Sequence, residues 1–251
     1  MRRRRSLGVL VLSTGLLTVG MAPAAQAAPE CFNREATFVG TGESDFFPGT
    51  PANDVAVLKD GDDSADGQGG FDRLCGNGGD DFLRGQEGED RLSGGGGGDL
   101  LDAGDIGAVF DGGDSDSSDN RLRGGDGSDD LFGAAGDDEL SGGGDDDTIF
   151  DETGGLFFNI DFGGGNNKLN GNSGDDFISS VNGSVDFVDG GPGEDECFTD
   201  PQDSVENCEF EDNNGGEGRS AQSRDDIRDD LRDDLRDRLD DAVERLEDLG
   251  R

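Results

Sequence analysis

Aspartate recurs in this chain at a fixed interval. Asp45, Asp54, Asp63, Asp72, Asp81, Asp90 and Asp99 follow one another in nine-residue steps. The same phase returns after a break at Asp129, Asp138 and Asp147, and after a second break at Asp176 and Asp195. A carboxylate is a hard oxygen donor that suits Ca²⁺ better than a soft metal. Carboxylates also serve as general acids and bases, but a repeated position commits every copy to one role. No residue stands out as a nucleophile or base, so an enzyme is not expected. The chain has no His, which excludes Ser-His-Asp and Cys-His pairs, a histidine base and mixed Cys/His zinc sites.

The residues around each Asp repeat with it. Gly76 to Arg84, Gly85 to Ser93 and Gly94 to Asp102 fit the frame G-G-x-G-x-D-x-U-x, where U is apolar. The eighth position reads Phe47, Ala56, Ala65, Leu74, Leu83, Leu92 and Leu101. Later units degrade. Ala108 replaces Asp while Phe110 keeps the apolar place, Asn120 stands before Leu122 and Asn167 before Leu169, and Asp186/Val188 is weak. Counting the degraded ones gives about seventeen units. A net charge of −40 with 30 % hydrophobic residues would by itself predict disorder. Two residue classes held in phase over seven units contradict a random coil.

Residue types predict the element. Glycines at positions 1, 2 and 4 allow tight turns and close approach of carbonyls to an ion. The x-U-x triplet makes a very short strand with U facing inward. Two units then make one turn of a flattened parallel β-coil, so that Asp63/Asp81, Asp72/Asp90, Asp81/Asp99, Asp129/Asp147 and Asp176/Asp195 stack. An ion between stacked loops would draw oxygens from both. An EF-hand at Asp114-Ser115-Asp116 fails, because Asp119 occupies the place of the obligatory Gly.

This nonapeptide resembles the RTX calcium-binding repeats over roughly residues 40–198. The resemblance implies an all-β fold, a right-handed parallel β-roll with several Ca²⁺ between its loops. It also implies that the sixth-position carboxylates and turn carbonyls are the ligands. Sites that depend on Ala108, Asn120, Leu156 or Asn167 would be weaker or missing. Residues 1–27 have the charged, apolar and small-residue regions of a signal peptide. The chain is therefore similar to small, secreted, signal-peptide-bearing forms of the family.

The remaining segments frame the repeats. Residues 28–39 are expected to cap the N-terminal end, 199–214 the C-terminal end, and 215–222 to form a linker. Cys31, Cys75, Cys197 and Cys208 allow three pairings in an exported chain. Cys31–Cys75 with Cys197–Cys208 is preferred, because each bond then ties down one end. From 223 to 251 an apolar stripe of Ile227, Leu231, Leu235, Leu239, Leu246 and Leu249 predicts an amphipathic helix. That stripe suggests self-association, packing on the roll or a protein partner. Phosphate backbones would be repelled, so no nucleic acid partner is expected. No other stretch could insert into a membrane.

Bringing many carboxylates together without counter-ions is unfavourable, and a thin core offsets little chain entropy. The expectation is a secreted structural or buffering protein that folds on binding extracellular Ca²⁺. The alternative is a calcium-dependent adhesive or matrix module assembling through its C-terminal helix. Outward positions such as Arg73, Arg84, Arg91 and Lys168 are charged, with no ladder of Thr or aromatic residues.

Overall fold

The computed structural model describes residues 29–104, 118–150, 165–181, 183–208 and 210–212. The proposed signal peptide and the helix at 223–251 lie outside the described residues. Among those described there is no helix, and none long and apolar enough to cross a membrane.

Two parallel nine-stranded sheets make up the roll. The first contains Phe38–Val39, Val55–Asp60, Arg73–Gly78, Arg91–Gly96, Arg121–Asp126, Glu139–Gly144, Lys168–Ser173, Phe187–Asp189 and Ser204–Glu206. The second contains Phe46–Phe47, Ser64–Asp66, Phe82–Arg84, Leu100–Asp102, Asp130–Phe132, Thr148–Phe150, Phe177–Ser180, Glu196–Thr199 and Phe210–Asp212. The chain crosses from one sheet to the other at every unit, so each unit pairs with the one a full coil away. Leu74 stands over Ala56 and under Leu92, and Leu83 stands between Ala65 and Leu101.

The eighth positions form the core. Leu74, Leu83, Leu92, Leu101, Leu122, Leu131, Leu169 and Ile178 have no exposed surface and join one cluster. Each contributes about 1.5–3 kcal/mol of burial, and each half-coil has only one. Their neighbours face outward, because side chains alternate along a strand. On the second sheet these neighbours include Phe132, Phe150, Phe177 and Phe198, whose ring centroids step by 5.4, 5.7 and 5.2 Å, a largely buried aromatic ladder that the sequence reading did not expect.

The degraded units at Asn120, Asn167 and Asp186 build rungs, while residues 105–117 and 151–164 lie outside the described residues. Leu92 pairs directly with Leu122 and Leu101 with Leu131, which leaves no place between them for the unit expected to carry Phe110. Leu140 likewise pairs with Leu169, and Ile149 with Ile178, passing over the unit that contains Leu156.

Both ends are tied as expected. A short antiparallel hairpin, Glu30–Cys31 with Arg34–Glu35, precedes the coil. Cys31 bonds Cys75 on the outer side of the first sheet, where Val55 and Val57 form a small second core with Cys31. Cys197 bonds Cys208 with the Cα atoms 6.0 Å apart. Strands Ser204–Glu206 and Phe210–Asp212 extend the two sheets into the segment read as a cap, so that segment is itself built of rungs.

Candidate metal centre

The turns on each edge of the roll stack their sixth-position side chains into a ladder. On the edge leading from the first sheet to the second, the rungs are Asp45, Asp63, Asp81, Asp99, Asp129, Asp147, Asp176 and Asp195. Each backbone N–H donates to Oδ1 of the next residue, as in Asp63 to Asp81 at 2.9 Å and Asp81 to Asp99 at 2.8 Å. The series runs unbroken from Asp45 to Asp195. The opposite edge carries Asp54, Asp72, Asp90, Asn120, Asp138, Asn167, Asp186 and Asp203, joined in the same way.

One oxygen of each carboxylate is thereby committed to the backbone. The other faces its own turn. Oδ2 of Asp63, Asp72, Asp81, Asp147 and Asp176 is buried with no hydrogen-bond partner. Leaving a buried charged acceptor unmatched is costly. Burial is the main cause pushing these acids up, against the pull of the backbone N–H that each accepts. Asp81 and Asp147 rise to about 8, Asp72 to about 7, and Asp63 and Asp176 to about 6. Stacked neighbours add repulsion, Asp99 and Asp63 in the case of Asp81.

Glycine makes room for that oxygen. A Cβ on Gly76 would occupy the space of Asp81 Oδ2, and one on Gly171 that of Asp176 Oδ2. Gly79, at the fourth position, has φ of 111°, and a Cβ there would collide with the carbonyl of Gly61 in the preceding coil. A side chain there would strain the backbone and push the coils apart.

The site is therefore a row of buried carboxylate oxygens aimed into turns rich in carbonyls. Among the described residues no three acidic side chains converge on one point. A hard cation such as Ca²⁺ fits, held by one or two Asp oxygens and completed by backbone carbonyls. Soft metals have no ligand here, since all four cysteines are in disulfides.

Four copies of the RTX calcium-binding nonapeptide repeat match this chain, at residues 48–83, 76–105, 111–149 and 163–185. The chain is an RTX repeat protein. No curated protein and no solved structure matches it. Calcium binding by a β-roll module is what the RTX repeats provide, and the paired turns give room for several ions.

All twelve aspartates singled out from the sequence of this RTX protein stand on the two ladders, and all five expected stacked pairs form. Two differ from the rest. Asp45 and Asp54, in the first coil, are partly exposed, and their Oδ2 atoms accept from the N–H and hydroxyl of Thr41 and Thr50. Asp186 and Asp203 extend the second ladder and were not among the twelve. Asp203 follows Asp186 by seventeen residues, one short of two repeats, which hid it from a nine-residue frame. A second, outer ladder was also missed. Asp62, Asp80, Asp146 and Asp175 at the fifth position each accept a backbone N–H from the next coil.

Proposed function

We propose that this protein is a secreted structural or calcium-buffering module whose roll assembles as Ca²⁺ binds. The observation that carries this reading is the set of buried, unpartnered Oδ2 atoms on Asp63, Asp72, Asp81, Asp147 and Asp176. Without cations, protonation is the other way to relieve them, and their raised pKa values put that near neutral pH. Ca²⁺ supplies positive charge to these oxygens, so binding free energy becomes folding free energy. Extracellular modules commonly bind Ca²⁺ with Kd of about 10⁻⁴–10⁻³ M, which suits a chain that meets the ion on export. Two disulfides favour the same oxidising setting. No catalytic role is proposed, because the repeated carboxylates share one structural position.

Small-angle scattering with and without chelator tests this reading. A chain of this length has a radius of gyration of about 17 Å if compact and about 50 Å if unfolded. Calcium should move the protein from near the larger value towards the smaller. An unchanged radius would contradict ion-driven assembly.

A further inference from the structure

The outer face of the first sheet carries a row of cations. Arg73 pairs in register with Arg91, Arg91 with Arg121, Arg121 with Glu139, and Glu139 with Lys168. Strands in a sheet lie about 4.8 Å apart, so this row presents nearly one positive charge per rung along a straight line. Arg123 stands beside it, two residues along the strand from Arg121. On the five strands from Arg73–Gly78 to Lys168–Ser173, five cations stand against Glu139 and, at a strand end, the exposed Asp126. Glu139 is already bonded to Arg121 and lies 4.0 Å from Lys168. Arg73, Arg91 and Arg123 make no ion pair among the described residues. The Arg73 and Arg91 guanidiniums instead lie over the Phe71 ring, at 5.2 and 5.9 Å from its centroid. The Arg73 side chain is pushed down by burial and then by Arg91 and Arg34, a mark of like charges gathered together.

Such clustering costs energy in a folded chain and is unexpected where the net charge is −40. Parallel to the cations runs a second row, in which Ser93, Arg123, Ser141 and Asn170 stand in register. Beyond Asn170 the same end of the roll opens into a groove of about 650 Å³, lined by Asn170, Asn172, Ser173, Asp189, Pro192 and Asn207. Amide and hydroxyl groups of this kind hydrogen-bond to sugar hydroxyls, while guanidinium forks bind carboxylate or sulfate. A single-stranded nucleic acid would need a platform of aromatic rings for its bases. This face has Phe71 near its start, already covered by Arg73 and Arg91, and Phe187 beyond Lys168, two separated rings and no platform.

We infer that the outer face of the first sheet, from Arg73 through Arg121 to the Asn170 groove, docks a linear acidic polysaccharide. The inference rests in part on the calcium reading, because the face exists only in the assembled roll. Until ions neutralise the turns, the surrounding carboxylates repel the same ligand. Binding should therefore require Ca²⁺ although it runs through arginine.

The test uses the full mature protein in Ca²⁺, with circular dichroism of each sample recorded beside the binding measurement. Heparin and hyaluronan serve as probes for sulfate and carboxylate. Single-stranded DNA and polyglutamate serve as competitors of other classes. The expected result is salt-sensitive binding to at least one polysaccharide, weakened tenfold or more in R73Q/R91Q/R121Q. Arg91→Gln alone should show part of that loss if the triple variant fails to fold. Arg84→Gln removes one cation from a strand of the second sheet, as Arg91→Gln does from the first, and should bind as the parent does. A folded parent that binds neither polysaccharide would overturn the inference. So would undiminished binding by the face variants, equal loss in Arg84→Gln and Arg91→Gln, or tighter binding of DNA or polyglutamate. A parent that stays unfolded in Ca²⁺ would instead sink the calcium reading, and this face with it.

Discussion

The two edges of the roll use one repeating unit but differ in charge. The edge that contains Asp81 is aspartate at every rung from Asp45 to Asp195. The opposite edge alternates over its second half, reading Asp90, Asn120, Asp138, Asn167 and Asp186. The hydrogen-bonded ladder does not notice the change, because Asn120 Oδ1 accepts the Asp90 N–H at 2.7 Å as an Asp would. The second atom does differ. Asn120 Nδ2 donates to the carbonyl of Ser118 at 3.1 Å, so an amide hydrogen faces a turn oxygen where an Asp would need a cation. The repeat thus has two separable duties. Oδ1 holds coil to coil, and the other atom decides whether the turn is anionic. The Asn edge is the less dependent on ions.

Removing both duties at once should have the largest effect. Asp81→Ala strands the buried Asp63 N–H, at about 1–3 kcal/mol, and also deletes an ion ligand. The roll should then need several-fold more Ca²⁺ to assemble, and hydrogen exchange should quicken in the flanking coils. Asn120→Ala breaks the ladder and the bond to Ser118 but removes no carboxylate, so it should destabilise the roll with little change in the number of ions bound. Equal loss of bound calcium in both variants would erase the distinction between the edges.

Exchanging the amide and the acid should have a smaller effect, with opposite signs. Asp81→Asn keeps Oδ1 and removes the charge, so the ion-free roll should gain stability while bound Ca²⁺ falls. Asn120→Asp should do the reverse, adding calcium demand to the quieter edge. Calorimetry of the chelated and calcium-loaded proteins reads both.

The distinction between the edges also shows which parts of the structure were legible in the sequence. Glycine, Asp and Leu at fixed intervals give the coil, its inward row and the stacked pairs, because each type suits one place in a turn or strand. Which edge a late residue occupies is not legible. Counting all seventeen units in alternation puts Asn120 and Asn167 on opposite edges. Leu92 pairs directly with Leu122 and Leu140 with Leu169, and that puts both asparagines on the same side. The cationic row is hidden for the same reason. Arg91 and Arg121 are thirty residues apart in sequence and meet only because a unit is passed over. Asp203 was obscured by a one-residue shortening that the ladder tolerates.

Acidity should produce the mildest of the effects. In the ion-free roll Asp81 and Asp147 rise from 3.8 to about 8. The folded state therefore holds protons more tightly than the unfolded chain, and its stability falls as pH rises from about 4 to about 8. Without calcium, β-structure should be greater at pH 5 than at pH 8. With calcium the order should invert, since protons and ions compete for the same oxygens, and the calcium midpoint should fall as pH rises. A calcium midpoint independent of pH would show that these carboxylates are not the ligands.

The most direct measurement is far-UV circular dichroism of residues 28–251 during titration with Ca²⁺, and with Mg²⁺ as the control. Mg²⁺ holds its waters and demands a tighter octahedral shell than a turn of carbonyls offers. A cooperative transition from coil to β-structure at sub-millimolar to millimolar Ca²⁺, absent with Mg²⁺, is the predicted result. A spectrum that calcium leaves unchanged, or an equal response to both ions, would contradict ion-driven assembly and reduce the ladders to an acidic polyelectrolyte.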